Sequence, residues 1–429
     1  MSLIDKQKSL ESIKELTIEE LIETVADLRE NDKDILDEDF LESIIESIGQ
    51  IGGIKAKKVL FKILKDKYYG YDIRGDAAEQ LTVIVDQSDA NCLIRLLKNN
   101  DPITRENAAF ILGQLLEHKK IPRTFPPLIQ TLNDNVHGVV CYAADALGNL
   151  GDTRAVNSLL HLVGDTRKIP YLDHAMCGLN VHTSAINALG KIGDPEVIEP
   201  LIKILTKKQP LFDGDNYGGF WNEVGSPIIE ALMNIGNRLL SDKKLYDTIS
   251  IREMDSQPPE KIQRIEKIGN TLLVLCEQNQ KIFRNKKEGS YVVGSPEYNA
   301  NIILNKINGG ITFWAKLAKY YYYNQDYSKA LLSINIATEQ KTRNYFGLLV
   351  KGKILQRLGR KKEAIEIYQN LEKNSGNSDI LAIIADLYDE LGEKWRAELT
   401  RKHYRASLSL DNMVEKYRAA GKRGAFNEE

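Results

Sequence analysis

Apolar residues in this chain recur three and four positions apart, and no segment keeps up the period-two alternation of a sheet protein. The pattern is sharpest around residue 190. Ala185, Ala188, Leu189 and Ile192 fall on one helical face. Gly193 follows, and glycine takes the left-handed conformation after a helix at least steric cost. Asp194 offers a carboxylate to free N–H groups, and Pro195 suits a first helical turn. Val197, Ile198, Leu201, Ile202 and Leu205 give the next helix its stripe. The unit therefore reads as two antiparallel helices.

The unit recurs. Ala143 to Asp152 matches Thr183 to Asp194 around Ala-Leu-Gly-x-(Leu/Ile)-Gly-Asp. Weaker copies surround Ile48, Leu81, Leu112 and Leu232. Aligning Ile48, Leu81, Leu112, Leu147, Leu189 and Leu232 gives steps of 33, 31, 35, 42 and 43 residues. Gly190 and the neighbouring alanines leave little side chain between helices, so backbones can approach. One pair cannot bury its own apolar face, but stacked neighbours can. The fold class expected is all-α, an α-α superhelix.

The motif at 146–152 and 188–194 resembles the HEAT-like repeat first associated with phycobilisome lyases, over roughly residues 40–240. The resemblance implies a solenoid. It also implies a range of activities, since the repeat occurs in bilin lyases, in a metal-dependent hydroxylase and in many scaffolds. The hydroxylase's paired His-Glu ligands are absent, the one adjacent pair being Glu117-His118 in the opposite order.

A second period appears in the last third. Trp314, Leu317, Ala318, Tyr321, Ala330, Ile334 and Ala337 are followed 34 residues on by small residues matching Ala318 and Ala330, namely Gly352 and Ala364. A third copy holds Ala385, Tyr388, Leu391, Gly392 and Ala397. This resembles a tetratricopeptide array, without the usual proline late in each repeat. The division expected is a helical cap at 1–33, a HEAT-like solenoid at 34–240, a degenerate helical connector at 241–310, and tetratricopeptide repeats with a capping helix and tail at 311–429.

Composition narrows the function classes. Lys+Arg number 58 against 60 Asp+Glu in 429 residues, which argues against bulk capture of nucleic acid or an anionic membrane. The balance is uneven: residues 1–60 hold 8 basic and 15 acidic side chains, and residues 311–429 hold 21 and 15. Four scattered cysteines form no CxxC pair, residues 1–30 carry no apolar leader, and no apolar run reaches a membrane-spanning length. The expectation is a cytoplasmic protein with no cofactor and no membrane span. Its partner would be a protein or extended peptide rather than nucleic acid, and its oligomeric state is not legible.

Candidate chemistry is sparse. There is no Walker loop, GxSxG elbow or HExxH pair. His174, Cys177 and His182 are metal-ligand types in one inter-repeat segment, but their spacing fits no standard zinc module, and an ordinary loop is the preferred reading. A thiol nucleophile at Cys177 assisted by His174 stays open on the same residues. Two surfaces are candidates for binding. The first is an edge of long inter-repeat links bearing Tyr69, Tyr71, Tyr171, Phe212, Tyr217, Phe220 and Trp221, where folding does not demand aromatic rings. The second is the tetratricopeptide groove, with Lys319, Tyr322, Tyr323, Phe346, Lys353, Gln356 and Arg357, and with Asp386 and Asp389 from the third copy. The function expected is a non-enzymatic interaction scaffold or assembly factor. The alternative, implied by the repeat resemblance, is a lyase or chaperone-like factor acting on a bilin-bearing protein.

Overall fold

A computed structural model describes residues 13, 16–31, 38–164, 180–207, 224–241, 263–284, 296–339 and 345–424. Among them every regular element is a helix and no strand occurs. The chain divides into two compact units, residues 1–235 with 291–299, and residues 236–290 with 300–429.

In the first unit, α1 (Ile18–Asn31), α2 (Glu38–Ile51) and α3 (Gly53–Lys65) are followed by an alternation of long and short helices. The long ones are α4 (Tyr71–Ile84), α6 (Pro102–His118), α8 (His137–Leu150), α10 (Val181–Ile192) and α12 (Ser226–Ser241), the last belonging to this unit as far as Ile235. The short ones are α5 (Ala90–Leu96), α7 (Phe125–Thr131), α9 (Val156–Val163) and α11 (Ile198–Lys207). The long helices α2, α4, α6, α8 and α10 pack in a row, each against the next. Helices α5, α7 and α9 each pack on the long helix that follows. The six aligned positions Ile48, Leu81, Leu112, Leu147, Leu189 and Leu232 are all 0% exposed, so the alignment holds in three dimensions.

The turn chemistry explains the alternation. Gly151 and Gly193 end α8 and α10 at φ 75° and 73°, each donating its N–H to the carbonyl four residues back. Asp152 and Asp194 then accept from the N–H groups of Arg154 and Glu196. The carboxylates cap short 3₁₀ turns, Thr153–Ala155 and Pro195–Val197, which lead into the short helices.

Small residues set the spacing of the row. A Cβ added at Gly148 would lie 2.7 Å from the Cα of Ala188, and one added at Gly190 would lie 3.0 Å from the Cα of Ala231. Gly113 has more room, 3.8 Å from Ala146. Polar staples fix the register. Arg74 on α4 donates to the carbonyl of Leu64 at 2.8 Å, to the hydroxyl of Thr104 at 2.7 Å, and to the carboxylate of Asp101. Burial opposes the charge on Asp101, yet Arg74 and Thr104 hold that carboxyl below its ordinary range. Arg105 on α6 grips both oxygens of Asp134 at 2.8 and 3.0 Å.

The second unit contains α13 (Gln263–Arg284) and most of α14 (Pro296–Gly309), then three hairpins. These are α15 (Ile311–Tyr323) with α16 (Tyr327–Glu339), α17 (Tyr345–Arg357) with α18 (Lys361–Ser375), and α19 (Asp379–Glu390) with α20 (Lys394–Gly424). Their turns are the same. Gln325, Gly359 and Gly392, at φ 62°, 73° and 77°, occupy one repeat position. The next residue in each donates back at 2.8–2.9 Å: Asp326 to Tyr321, Arg360 to Leu355, Glu393 to Tyr388. Those positions are 34 and 33 residues apart, the offsets the sequence carries. Ala364, Tyr368, Leu371, Ile380, Ile384 and Leu387 form the core of the last two hairpins. Of the connector expected at 241–310, residues 242–262 and 285–295 lie outside the described residues. Ile265, Ile268 and Leu272 of α13 are buried.

Two outcomes test this packing. Leu189→Ala should lower the unfolding free energy by about 2–5 kcal/mol, read from urea denaturation, because a cavity opens inside the row. Two glycine substitutions should have opposite signs. Gly113→Ala should stabilise by up to about 1 kcal/mol through helix propensity. Gly148→Ala should destabilise, since forcing a methyl against the backbone of Ala188 costs about 1–3 kcal/mol.

Candidate functional site

A groove of about 410 Å³ opens along the row of long helices in the first unit. Its lining follows the repeat. Two positions before the aligned leucine, the four helices α6, α8, α10 and α12 contribute Phe110, Asp145, Asn187 and Glu230. Two positions after it they contribute Gln114, Asn149, Lys191 and Asn234. Residues four apart share a helix face, so each helix presents one pair. Gly113, Gly190 and Ala231 lie between the pairs, and Glu117 and Tyr142 complete the lining.

Phe110, Tyr142, Asp145 and Asn149 are half-buried, and Gln114, Glu117, Asn187, Lys191, Glu230 and Asn234 are exposed. The rings of Phe110 and Tyr142 meet with centroids 5.2 Å apart at 58°. Asn149 links three helices: its Nδ2 donates to the carbonyl of Gly113 at 3.0 Å, and its Oδ1 accepts from Nζ of Lys191 at 2.8 Å. Lys120 donates to the backbone carbonyl of the same residue. Asp145 is pushed up to about 6 by burial, against the opposing pull of Lys191 and of a hydrogen bond with Ser184. Among its described residues the lining holds three carboxylates and one ammonium, with side-chain amides and two aromatic rings beside them.

None of the described candidates from the sequence lines this groove. Of the aromatic edge, Tyr171, Phe212, Tyr217, Phe220 and Trp221 lie outside the described residues. Tyr69 is 5% exposed and Tyr71 is half-buried, its hydroxyl donating to Oε1 of the buried Glu106 at 2.9 Å. These two rings turn inward because the link between α3 and α4 is short, with α4 starting at Tyr71 itself. Glu106 has its other carboxylate oxygen without a partner, and burial raises its pKa.

His174 and Cys177 also lie outside the described residues. Nδ1 of His182 donates to the carbonyl of Val163 at 3.0 Å. Among the described residues no group of three His, Cys, Asp or Glu is placed to hold a metal ion.

In the second unit, Tyr322, Tyr323 and Lys353 are buried, Lys319 and Gln356 are half-buried, and Arg357 is exposed. The side chain of Phe346 is outside the described set. Arg357 donates to the hydroxyl of Tyr322 at 3.2 Å, and Gln356 accepts from Tyr368 at 3.1 Å. The tyrosines thus serve packing and internal hydrogen bonds as much as an open face. Arg401 on α20 bridges Asp386, at 3.1 Å, and Asp389, so the acidic pair of the third copy is engaged by the chain's own basic end.

The groove in the first unit was not nominated from sequence. A signal for it existed. The variable position inside Ala-Leu-Gly-x-(Leu/Ile)-Gly is Asn149 in one copy and Lys191 in the other. On helices buried on their remaining faces, such recurrent polar positions mark the one stripe left to solvent.

Comparison with known proteins agrees on the repeat type. HEAT repeats match residues 89–175. The PBS lyase HEAT-like repeat matches residues 181–207. No curated protein matches the chain. Among solved structures, an engineered protein is 16% identical, covering 90% of this chain and 98% of its own, with a TM-score of 0.34. A designed armadillo repeat protein is 16% identical over 62% of this chain and 98% of its own, with a TM-score of 0.33. No helix among the described residues is long and apolar enough to cross a membrane.

The state of Asp145 predicts a pH dependence. The folded protein holds this proton more tightly than the unfolded chain, whose carboxyl titrates near 3.8. That side chain's contribution therefore favours the native state at low pH, and it is lost as pH rises from about 4 to about 6. Asp145→Asn should flatten the denaturation midpoint across that interval relative to wild type.

Proposed function

We propose that this chain is a non-enzymatic protein-interaction scaffold, built from a HEAT-like array and a tetratricopeptide-like array. One observation carries the reading. Four successive helices of the first unit direct the same two register positions into one groove, and the lining is polar where the rest of each helix is buried. Asn187, Glu230 and Asn234 are exposed on the groove wall, where a ligand could reach their polar groups.

The three hairpins of the second unit support a tetratricopeptide reading through their 33–34 residue period and matching turns. The aromatic links after α9 and α11 remain candidates for a further contact surface. The compartment proposed is the cytoplasm, in keeping with Cys92, Cys141 and Cys276 forming no disulfide.

The test fills the groove. Asn187 is exposed, so Asn187→Trp should leave the melting temperature nearly unchanged while obstructing the groove. Proteins captured from the native cell by wild type and identified by mass spectrometry should be lost with the variant. Retention of every partner by Asn187→Trp would remove the groove from the binding function.

A further inference from the structure

Resting on the scaffold reading, we propose that the groove of the first unit receives an extended segment of a partner protein through its arginine or lysine side chains.

The described part of the lining is acidic. It carries Glu117, Asp145 and Glu230 alongside one ammonium, Lys191. That ammonium is already held by the Asn149 amide, which is itself anchored to the carbonyl of Gly113. A guanidinium or ammonium entering the groove meets carboxylates on α6, α8 and α12 within one cavity. Asp145 gains most from such a group, because its charge sits in a half-buried place with little water around it. An incoming cation supplies the compensation that Lys191 only partly provides.

The neutral residues fit the rest of such a segment. Phe110 and Tyr142 offer aromatic faces beside the carboxylates, and a guanidinium stacks on such faces. Gln114, Asn187 and Asn234 line the same groove with side-chain amides. Each amide donates and accepts, which is what the unpaired N–H and C=O groups of an extended backbone require. A volume of about 410 Å³ takes side chains and the backbone between them, not a folded domain.

The negative charge continues along the row. The positions on α2 and α4 equivalent to Asp145 are Glu46 and Glu79. Near them Asp76 is pushed up to about 6, first by burial and then by Glu42, Glu79 and Asp72. A basic segment longer than the groove would find carboxylates on these earlier helices as well. Nucleic acid, with its phosphates, meets repulsion on the same face.

Fluorescence polarisation on the full chain, with fluorescein-labelled nona-arginine and nona-glutamate as probes, tests the assignment. Nona-arginine should bind, more weakly as salt rises, and nona-glutamate should not. The pair Glu117→Gln with Glu230→Gln should weaken nona-arginine by about fivefold or more, and adding Asp145→Asn should weaken it further. Both carboxylates of that pair are exposed, so its melting temperature should match wild type. A control pair on the other helix row, Glu196→Gln with Glu199→Gln, removes the same charge and should change nothing. Failure of nona-arginine to bind at low salt, or equal loss in both pairs, overturns the proposal. If Asn187→Trp sheds partners while the charge variants bind them normally, the scaffold reading stands and this one falls. If Asn187→Trp sheds none, both fall.

Discussion

The close approach of the long helices is the constraint from which the first unit follows. At Gly148 a methyl group would collide with the backbone of the next helix, and at Gly190 it would press tightly on Ala231. The close spacing of the row rests on these positions having no side chain and on the alanines that face them. Tight spacing buries almost every face of α6, α8 and α10, so solvent reaches each helix along one narrow stripe. That stripe is the groove. The same residues that make the packing possible therefore decide where a ligand can touch the protein.

Polar groups inside this packing act as register marks. The Arg74, Asp101 and Thr104 cluster ties α3, α4 and the start of α6 together, and every bond in it crosses or caps an element end. A buried ion pair of this kind contributes less to net stability than to the uniqueness of one arrangement, since a slip of one turn would leave a buried charge alone. The second unit uses other means. Its tyrosines fill the space over small residues: a methyl at Gly352 would press on the ring of Tyr368. Burial raises the pKa of Tyr321 and Tyr368, so both hydroxyls stay neutral across the physiological range.

Much of the fold was legible because its signals are local. A glycine after an apolar stripe and an aspartate beside it report a helix end whatever surrounds them, and Gly193 with Asp194 behaved accordingly. The 34-residue offset between Ala318 and Gly352 reappears in the turns at Gln325 and Gly359. The candidate groove was less legible. Aromatic residues in links read as a recognition edge, yet of its described members Tyr69 is buried and the hydroxyl of the half-buried Tyr71 bonds to Glu106. Acidic residues of the third hairpin read as an open groove wall, yet Arg401 from the terminal helix holds them.

The sequence by itself determined that the chain is helical, that its helices come in pairs, and that the pairs repeat with two different periods. Those properties depend on periodicity and turn chemistry within a few dozen residues. Only the tertiary structure decided that Phe110, Asp145, Asn187 and Glu230 share one cavity, and that Asn149 and Lys191 are bonded across it. Residues 35 to 43 positions apart along the chain become neighbours through the crossing of helices at glycine and alanine. The recurrent polar positions mark a solvent stripe on each helix, but which of them share a cavity and which meet another side chain depends on that crossing.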